Sequence, residues 1–269
     1  MQFPVAIHFG QVSILLHTIT EIAALFIGFR YYIHLRKKQG DAITPEKRTW
    51  IVIGAVFGAF FGSRLIGGLE DPVSMLHSRN IFWHFYSNKT VVGGFLGGLA
   101  GVEIIKYFMK EKKSSGDLFT YPMILALIIG RIGCFSMGVY EDTYGVSSSL
   151  PWALDLGDGI SRHPVCLYEI LFLALLWIGL VRLENYYALI SGARFKIFMI
   201  TYCMFRFLLD FIKPHYTFGI GLSTIQLTCA AGLIYYYRYI IHPKKLIDRT
   251  RNANSSAAHE ETAMPKSVY

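Results

Sequence analysis

The sequence predicts an all-α integral membrane protein of seven transmembrane helices. The N-terminus lies outside, the C-terminus is cytoplasmic, and an outer loop domain sits between helices four and five. Three observations predict this. The 269-residue chain is 53% hydrophobic and only 16% charged, with a mean hydropathy of +0.40, whereas a soluble domain carries about 25% charged residues. Seven stretches approach or reach the ~20 apolar residues needed to cross the hydrocarbon core: 12–34, 50–69, 91–109, 118–138, 165–182, 195–213 and 220–241. Lysine and arginine, finally, collect in short clusters between these stretches, on alternate sides.

The spans are helices, because backbone in lipid must satisfy its own hydrogen bonds and no sustained period-2 alternation marks a barrel. With the N-terminus outside, the inner segments hold 15 basic residues, from Arg36 to Arg251, and the outer segments hold only Arg79, Lys89, Arg162 and Lys213. That asymmetry sets the orientation. The opening MQFPVAIHFG has no basic region and no small-residue cleavage site follows the first apolar run, so the first span reads as an uncleaved anchor. Residues 1–241 form one transmembrane domain, and the polar stretch 242–269 reads as a disordered cytoplasmic tail. The net charge of +8 does not point to nucleic acid, since the basic residues form no stripe on a polar domain. No internal repeat supports an inverted-repeat transporter. The four cysteines, Cys134, Cys166, Cys203 and Cys229, have no metal-ligand spacing, and neither a metal nor an organic cofactor is implied.

Seven ionisable residues fall within or at the border of the spans: Glu21, Arg64, Glu103, Arg131, Glu169, Arg206 and Asp210. Each costs on the order of 3 kcal/mol at a helix centre, so they are expected to face the bundle interior and pair. Arg131 enters its inside-to-outside helix by about 13 residues, a rise of ~20 Å. Arg64 and Arg206 enter theirs by about 14 and 11 residues, which sets all three between mid-membrane and the outer interface. Such a cluster suits an anionic lipid headgroup, because the guanidinium fork grips phosphate oxygens. In the sixth span Tyr202, Arg206 and Asp210 follow at i, i+4, i+8 and share a face, with Asp210 expected to hold Arg206.

The loop 139–164 carries turn signals (GDG, HP) and reads as a folded hairpin or cap. After it, His163 lies close to Glu169 at the outer interface, where an imidazole can act as general base. The glycine run 91–101, including Gly93 and Gly94, serves either close helix packing or close approach of lipid to the backbone.

GRIGCFSMG (130–138), RHPVCLYE (162–169) and YCMFRFLLDF (202–211) together resemble the prolipoprotein diacylglyceryl transferase family. The family's patterns are GR-x-GN-F, HP-x-QLYE and Y-x3-R-x3-E, and the resemblance spans residues 12–241. It implies a bacterial plasma-membrane, multi-pass enzyme without cofactor. Such an enzyme moves the diacylglyceryl group of phosphatidylglycerol to the cysteine thiol of a prolipoprotein signal peptide, and its partners include membrane lipids but no nucleic acid. By the resemblance Arg131, Tyr202, Arg206, His163, Tyr168 and Glu169 match motif residues, and Asp210 stands where the family has Glu. Gly145 resembles the glycine that closes the loop after the GR motif, with Glu141 as the accompanying acid. The family's His-Gly-Gly reads Val92-Gly93-Gly94 here, its Asn is Cys134, its Gln is Cys166, and its first-span tyrosine is replaced, with Glu21 in its place.

The implied reaction makes two demands. Charge on the departing glycerol phosphate must be stabilised, a task for Arg131 and Arg206 with Arg64, Gly93, Gly94, Gly145 and Tyr168 lining the substrate. The thiol, with a free pKa of about 8.5, needs a base, for which His163, Glu21 and Glu169 are the candidates in that order. Without the His-Gly-Gly histidine, a non-catalytic phospholipid-binding relative or a transferase with another acceptor are the competing readings.

Overall fold

The computed structural model describes residues 3–10, 12–219 and 221–248. The described chain is mostly helical, with no closed barrel. A short antiparallel hairpin, β1 (Ala6–Phe9) with β2 (Val12–Leu15), leads directly into α1 (Leu16–Gln39). The first apolar stretch therefore does not become helical at residue 12: alternation in VSIL suits a paired strand, and the helix begins four residues later. Pro45, at the first position where its missing N–H costs nothing, starts α2 (Pro45–Gly68).

Two short helices that the apolar pattern did not announce follow, α3 (Pro72–His77) and α4 (Ile81–Ser87). Asp71 caps the first by accepting from the Val73 and Ser74 amides, and Asn80 caps the second through the Trp83 amide. α5 (Val91–Phe108) and α6 (Asp117–Met137) match the third and fourth apolar stretches, and α7 (Val165–Tyr186) and α8 (Ala193–Leu209) the next two. The last stretch is interrupted. α9 (Thr224–Tyr235), opened by a Ser223–Gln226 capping box, gives way at Tyr236 to the five-residue α10 (Tyr237–Ile241).

Four helices, α2, α5, α6 and α7, are long and apolar enough among the described residues to cross a membrane. α1 is as long as α2 but includes His17, Glu21, Arg30 and His34, and α8 has 17 residues. Large apolar side chains such as Ile22, Phe26, Phe57, Phe61, Leu171 and Leu175 stand exposed along the outer faces of α1, α2 and α7. An aqueous surface does not carry so wide an apolar band, which suits these faces to lipid.

Packing explains the glycine run. A methyl group on Gly58, Gly97 or Gly101 would overlap the carbonyl of Gly97, Gly58 or Gly54 respectively, so α2 and α5 touch backbone to backbone. α1 and α6 approach almost as closely at Gly133, where a Cβ would lie 3.3 Å from the His17 Cα. The buried centre is aromatic and aliphatic, with Ile124, Leu173, Phe198, Met199 and Tyr202 all below 2% exposure.

Between α6 and α7 the loop folds back on itself as its turn residues predict. β3 (Leu154–Asp155) pairs with β4 (Ser161–Arg162), and Asp155 Oδ1 accepts from the Gly157 and Gly159 amides at 2.8 and 3.0 Å. The chain does not leave the domain at 242. Pro243–Leu246 form a 3-10 turn and Ile247 bridges to Leu189, because Leu246 finds a buried site there. Residues 249–269, the remainder of the expected tail, lie outside the described residues.

Candidate active site

α6, α7 and α8 each carry one ionisable residue to the same buried point. Glu169 on α7 is the hub. Its Oε2 lies 2.9 Å from Nε of Arg131 on α6 and accepts from Nη1 of Arg206 on α8 at 3.1 Å. Its Oε1 accepts from the Tyr202 hydroxyl at 2.8 Å. All four side chains are buried. Two guanidinium groups on one carboxylate leave a local surplus of one positive charge, and a low-dielectric surround makes that surplus strong.

The expected clasp of Arg206 by Asp210 does not form. The α-helix ends at Leu209 and continues as a 3-10 turn, Asp210–Ile212, which rotates the carboxylate away from the Arg206 face. Asp210 instead accepts from the Ser223 hydroxyl and faces His215 at 3.7 Å, and so ties the end of α8 to the start of α9. Tyr202 is walled in by Phe95, Phe198 and Phe172, with ring centroids 5.2 to 6.5 Å away.

Arg131, Arg206 and Glu169 form one wall of a cavity of about 510 Å³. Apolar side chains from α1, α5, α6, α7 and α9, among them Leu25, Phe95, Met123, Leu127, Val165 and Ile225, supply much of the rest. The volume fits a headgroup and the first part of its chains. Its charged lining is Arg131, Arg206, Lys89 and Lys213 against Glu21, Glu70, Glu141, Asp142 and Glu169. Lys89 pairs with Glu21 at 3.0 Å on one rim. Glu70, just past α2, is held above the ordinary carboxylate value by burial, which outweighs the nearby Lys213 and Arg206.

Several expected site residues stand elsewhere. His163 does not line the cavity: its Nδ1 is 3.2 Å from the Tyr168 hydroxyl, which accepts from the Trp152 indole at 2.8 Å. Gly145 underlies that same turn, where a Cβ would lie 2.6 Å from the His163 Cβ. His163, Tyr168 and Gly145 thus brace the loop, since a β-bridged segment turns this histidine outward. Arg64 donates to the Tyr86 carbonyl and lies over the Phe60 and Tyr86 rings, and it does not line the cavity. Gly93 is packed against Gly62 and Ile66 of α2, and neither it nor Gly94 lines the cavity. Glu103 pairs with Lys106 at 3.3 Å on an exposed face of α5 rather than inside the bundle.

Other residues not named among the candidates come into the site. His17, one turn before Glu21 on α1, lines the cavity with its Nδ1 3.3 Å from Glu141 and its Nε2 3.7 Å from Glu21. The i, i+4 spacing of His17 and Glu21 was the available signal. Cys134, Glu70 and Lys213 also line it, and for the last two no local pattern distinguishes them from ordinary end-of-span charges.

A family model described as prolipoprotein diacylglyceryl transferase matches residues 4–241. The chain belongs to that family. Among its relatives are proteins named phosphatidylglycerol–prolipoprotein diacylglyceryl transferase from three bacteria. The Solidesulfovibrio magneticus protein is 30% identical over 78% of this chain and 81% of its own length. The Cupriavidus metallidurans protein is 29% identical over 86% and 87%, and that of Campylobacter hominis 26% over 78% and 79%. The motifs that first suggested the prolipoprotein diacylglyceryl transferase family include all four residues gathered at the carboxylate hub, Arg131, Glu169, Tyr202 and Arg206.

Proposed function

We propose that this chain transfers the diacylglyceryl group of phosphatidylglycerol to the cysteine thiol of a prolipoprotein signal peptide. The observation that carries the reading is the convergence of Arg131 and Arg206 on Glu169 at the wall of a largely apolar cavity. A phosphodiester set there meets the one unbalanced positive charge, while its acyl chains lie against apolar residues. In the reaction the thiol sulfur attacks the glyceryl carbon, the carbon–oxygen bond to phosphate breaks, and the electron pair leaves on the phosphate oxygen. The two guanidinium groups stabilise that charge as it develops, because they are already desolvated and oriented. Tyr202 holds Glu169, and Asp210 fixes the end of α8; both position the arginines rather than meet the lipid. Glu21, at the rim, remains a candidate proton acceptor.

The chain works as a seven-span plasma-membrane protein with its N-terminus outside, a reading supported by the 15-to-4 distribution of basic residues. On that orientation the arginines lie toward the outer leaflet, where a signal peptide emerges. A non-catalytic phospholipid-binding role is favoured by one observation only, the valine at position 92 where the family has histidine.

The deciding test incubates the purified protein with phosphatidylglycerol and a lipobox peptide and scores the diacylglyceryl adduct by mass. The adduct should form, and Arg131→Ala and Arg206→Ala should each lower its rate by roughly 100-fold or more. Phosphatidylglycerol bound without any adduct would replace the transferase reading with lipid binding alone.

A further inference from the structure

Three residues from separate segments meet at one corner of the cavity: His17 on α1, Cys134 on α6 and Glu141 beyond the end of α6. Their ligating atoms all lie within 4.8 Å of one another. His17 Nδ1 is 3.3 Å from Glu141 Oε2, and Cys134 Sγ is 3.9 Å from the other carboxylate oxygen. A tetrahedral zinc ion, with bonds of about 2.0–2.1 Å to nitrogen and oxygen and ~2.3 Å to sulfur, sets its nitrogen and oxygen ligands ~3.3 Å apart and its sulfur ~3.6 Å from either. The His17–Glu141 edge has that spacing, and all three ligating atoms lie within 4.8 Å of one another. Nitrogen, thiolate and carboxylate are also the donor set that this cation takes.

One further observation points the same way. His17 Nδ1 and Glu141 Oε2 are both enclosed and, although 3.3 Å apart, make no hydrogen bond with each other or any other group, an arrangement that needs an explanation in a folded protein. A cation between them supplies one. Arg131 Nη1 is 3.7 Å from Cys134 Sγ, and Arg131 shares Glu169 with Arg206. A dication held by one thiolate and one carboxylate adds no net charge beside it.

We propose that His17, Cys134 and Glu141 bind a zinc-class divalent cation, with a fourth position open to the cavity. This rests on the transferase reading for its role: the peptide thiol takes the open position as a thiolate, its proton being released to solvent. The sulfur lone pair then forms the bond to the glyceryl carbon as the carbon–oxygen bond to phosphate breaks, its electron pair leaving with the phosphate.

The test titrates the purified full-length chain, stripped by a chelator, with Zn²⁺ or Co²⁺ alone. One metal per chain should bind, and Co²⁺ should show a thiolate charge-transfer band. Cys134→Ser should abolish the band, His17→Ala and Glu141→Gln should each weaken binding roughly tenfold or more, and Cys166→Ser should keep both. Thermal melting of each variant separates loss of metal from loss of fold. No bound metal, or a band that survives in folded Cys134→Ser, overturns the site. Metal bound without any diacylglyceryl adduct would sink the transferase reading and keep the site; an adduct formed at full rate by metal-free protein would keep the transferase reading and overturn the cation's part in it.

Discussion

A carboxylate that faces two guanidinium groups and a phenol in the dry centre of a bundle does work no neutral residue can copy. Replacing Glu169 with Gln keeps the shape and the Tyr202 contact but strands two buried cations, a loss on the order of 3–5 kcal/mol. Glu169→Gln should therefore lower the melting temperature and the transfer rate together, as read by thermal unfolding and the mass assay. An unchanged melting temperature would mean that the arginines are neutralised otherwise. Arg131, Arg206 and Glu169 were legible in the sequence because charge inside apolar stretches is costly enough to be conspicuous. Their pairing was not: helical spacing along α8 favoured Asp210, and only the 3-10 turn after Leu209 redirects that carboxylate to Ser223. His17 was overlooked for the opposite reason, since its meeting with Cys134 and Glu141 depends on the glycine at 133 that lets α1 close onto α6.

Helix α2 and helix α5 are held by the absence of side chains, and the two faces of α5 predict different sensitivities. Gly97→Ala puts a methyl group against the Gly58 carbonyl and should cost about 1–3 kcal/mol or more as overpacking, whereas Gly94→Ala meets nothing nearer than 3.7 Å and should be near neutral. Chemical or thermal denaturation of both variants checks the contrast. At the α1–α2 turn, Arg48, 3% exposed, donates Nε to Asp41 Oδ2 at 2.7 Å and Nη1 to the Ser115 carbonyl at 2.9 Å. Burial alone would raise the Asp41 carboxyl, but the hydrogen bonds of Arg48 and the Ile43 amide hold it below its ordinary value. A carboxylate lowered by folding stabilises the fold fully above the unfolded value of about 3.9 and loses that contribution as pH falls through the lower folded value. Melting temperature should accordingly fall below about pH 4 in the parent and show a flatter profile there in Asp41→Asn, which starts lower. The existence of most long helices was readable from apolar length. Their ends were not, because hairpin β1–β2, the helices α3 and α4 and the break at Tyr236 are decided by pairing and capping rather than by hydropathy.

Taken whole, the molecule places every residue that lines the cavity before position 226, while its last described contact joins Asp248 N to the Ala188 carbonyl at 2.7 Å. Truncation after Asp248 should leave transfer within about twofold of the full chain, in line with the small effects of changes remote from a site; truncation after Tyr236, which removes the Leu246 anchor, should reduce the yield of folded protein. Membership of the family was legible from three short motifs, whereas the cavity was not, because eight helices contribute to it and no one of them shows it alone. The three-helix hub also bears on how the protein is made. At about 5–20 residues per second, Arg131 leaves the ribosome roughly 2 to 8 seconds before Glu169. During that interval α6 holds an uncompensated guanidinium and gains nothing by settling alone in lipid. The translocon must keep α6 company until α7 arrives, so the two enter the bilayer as a hairpin, and Arg206 then closes the clasp.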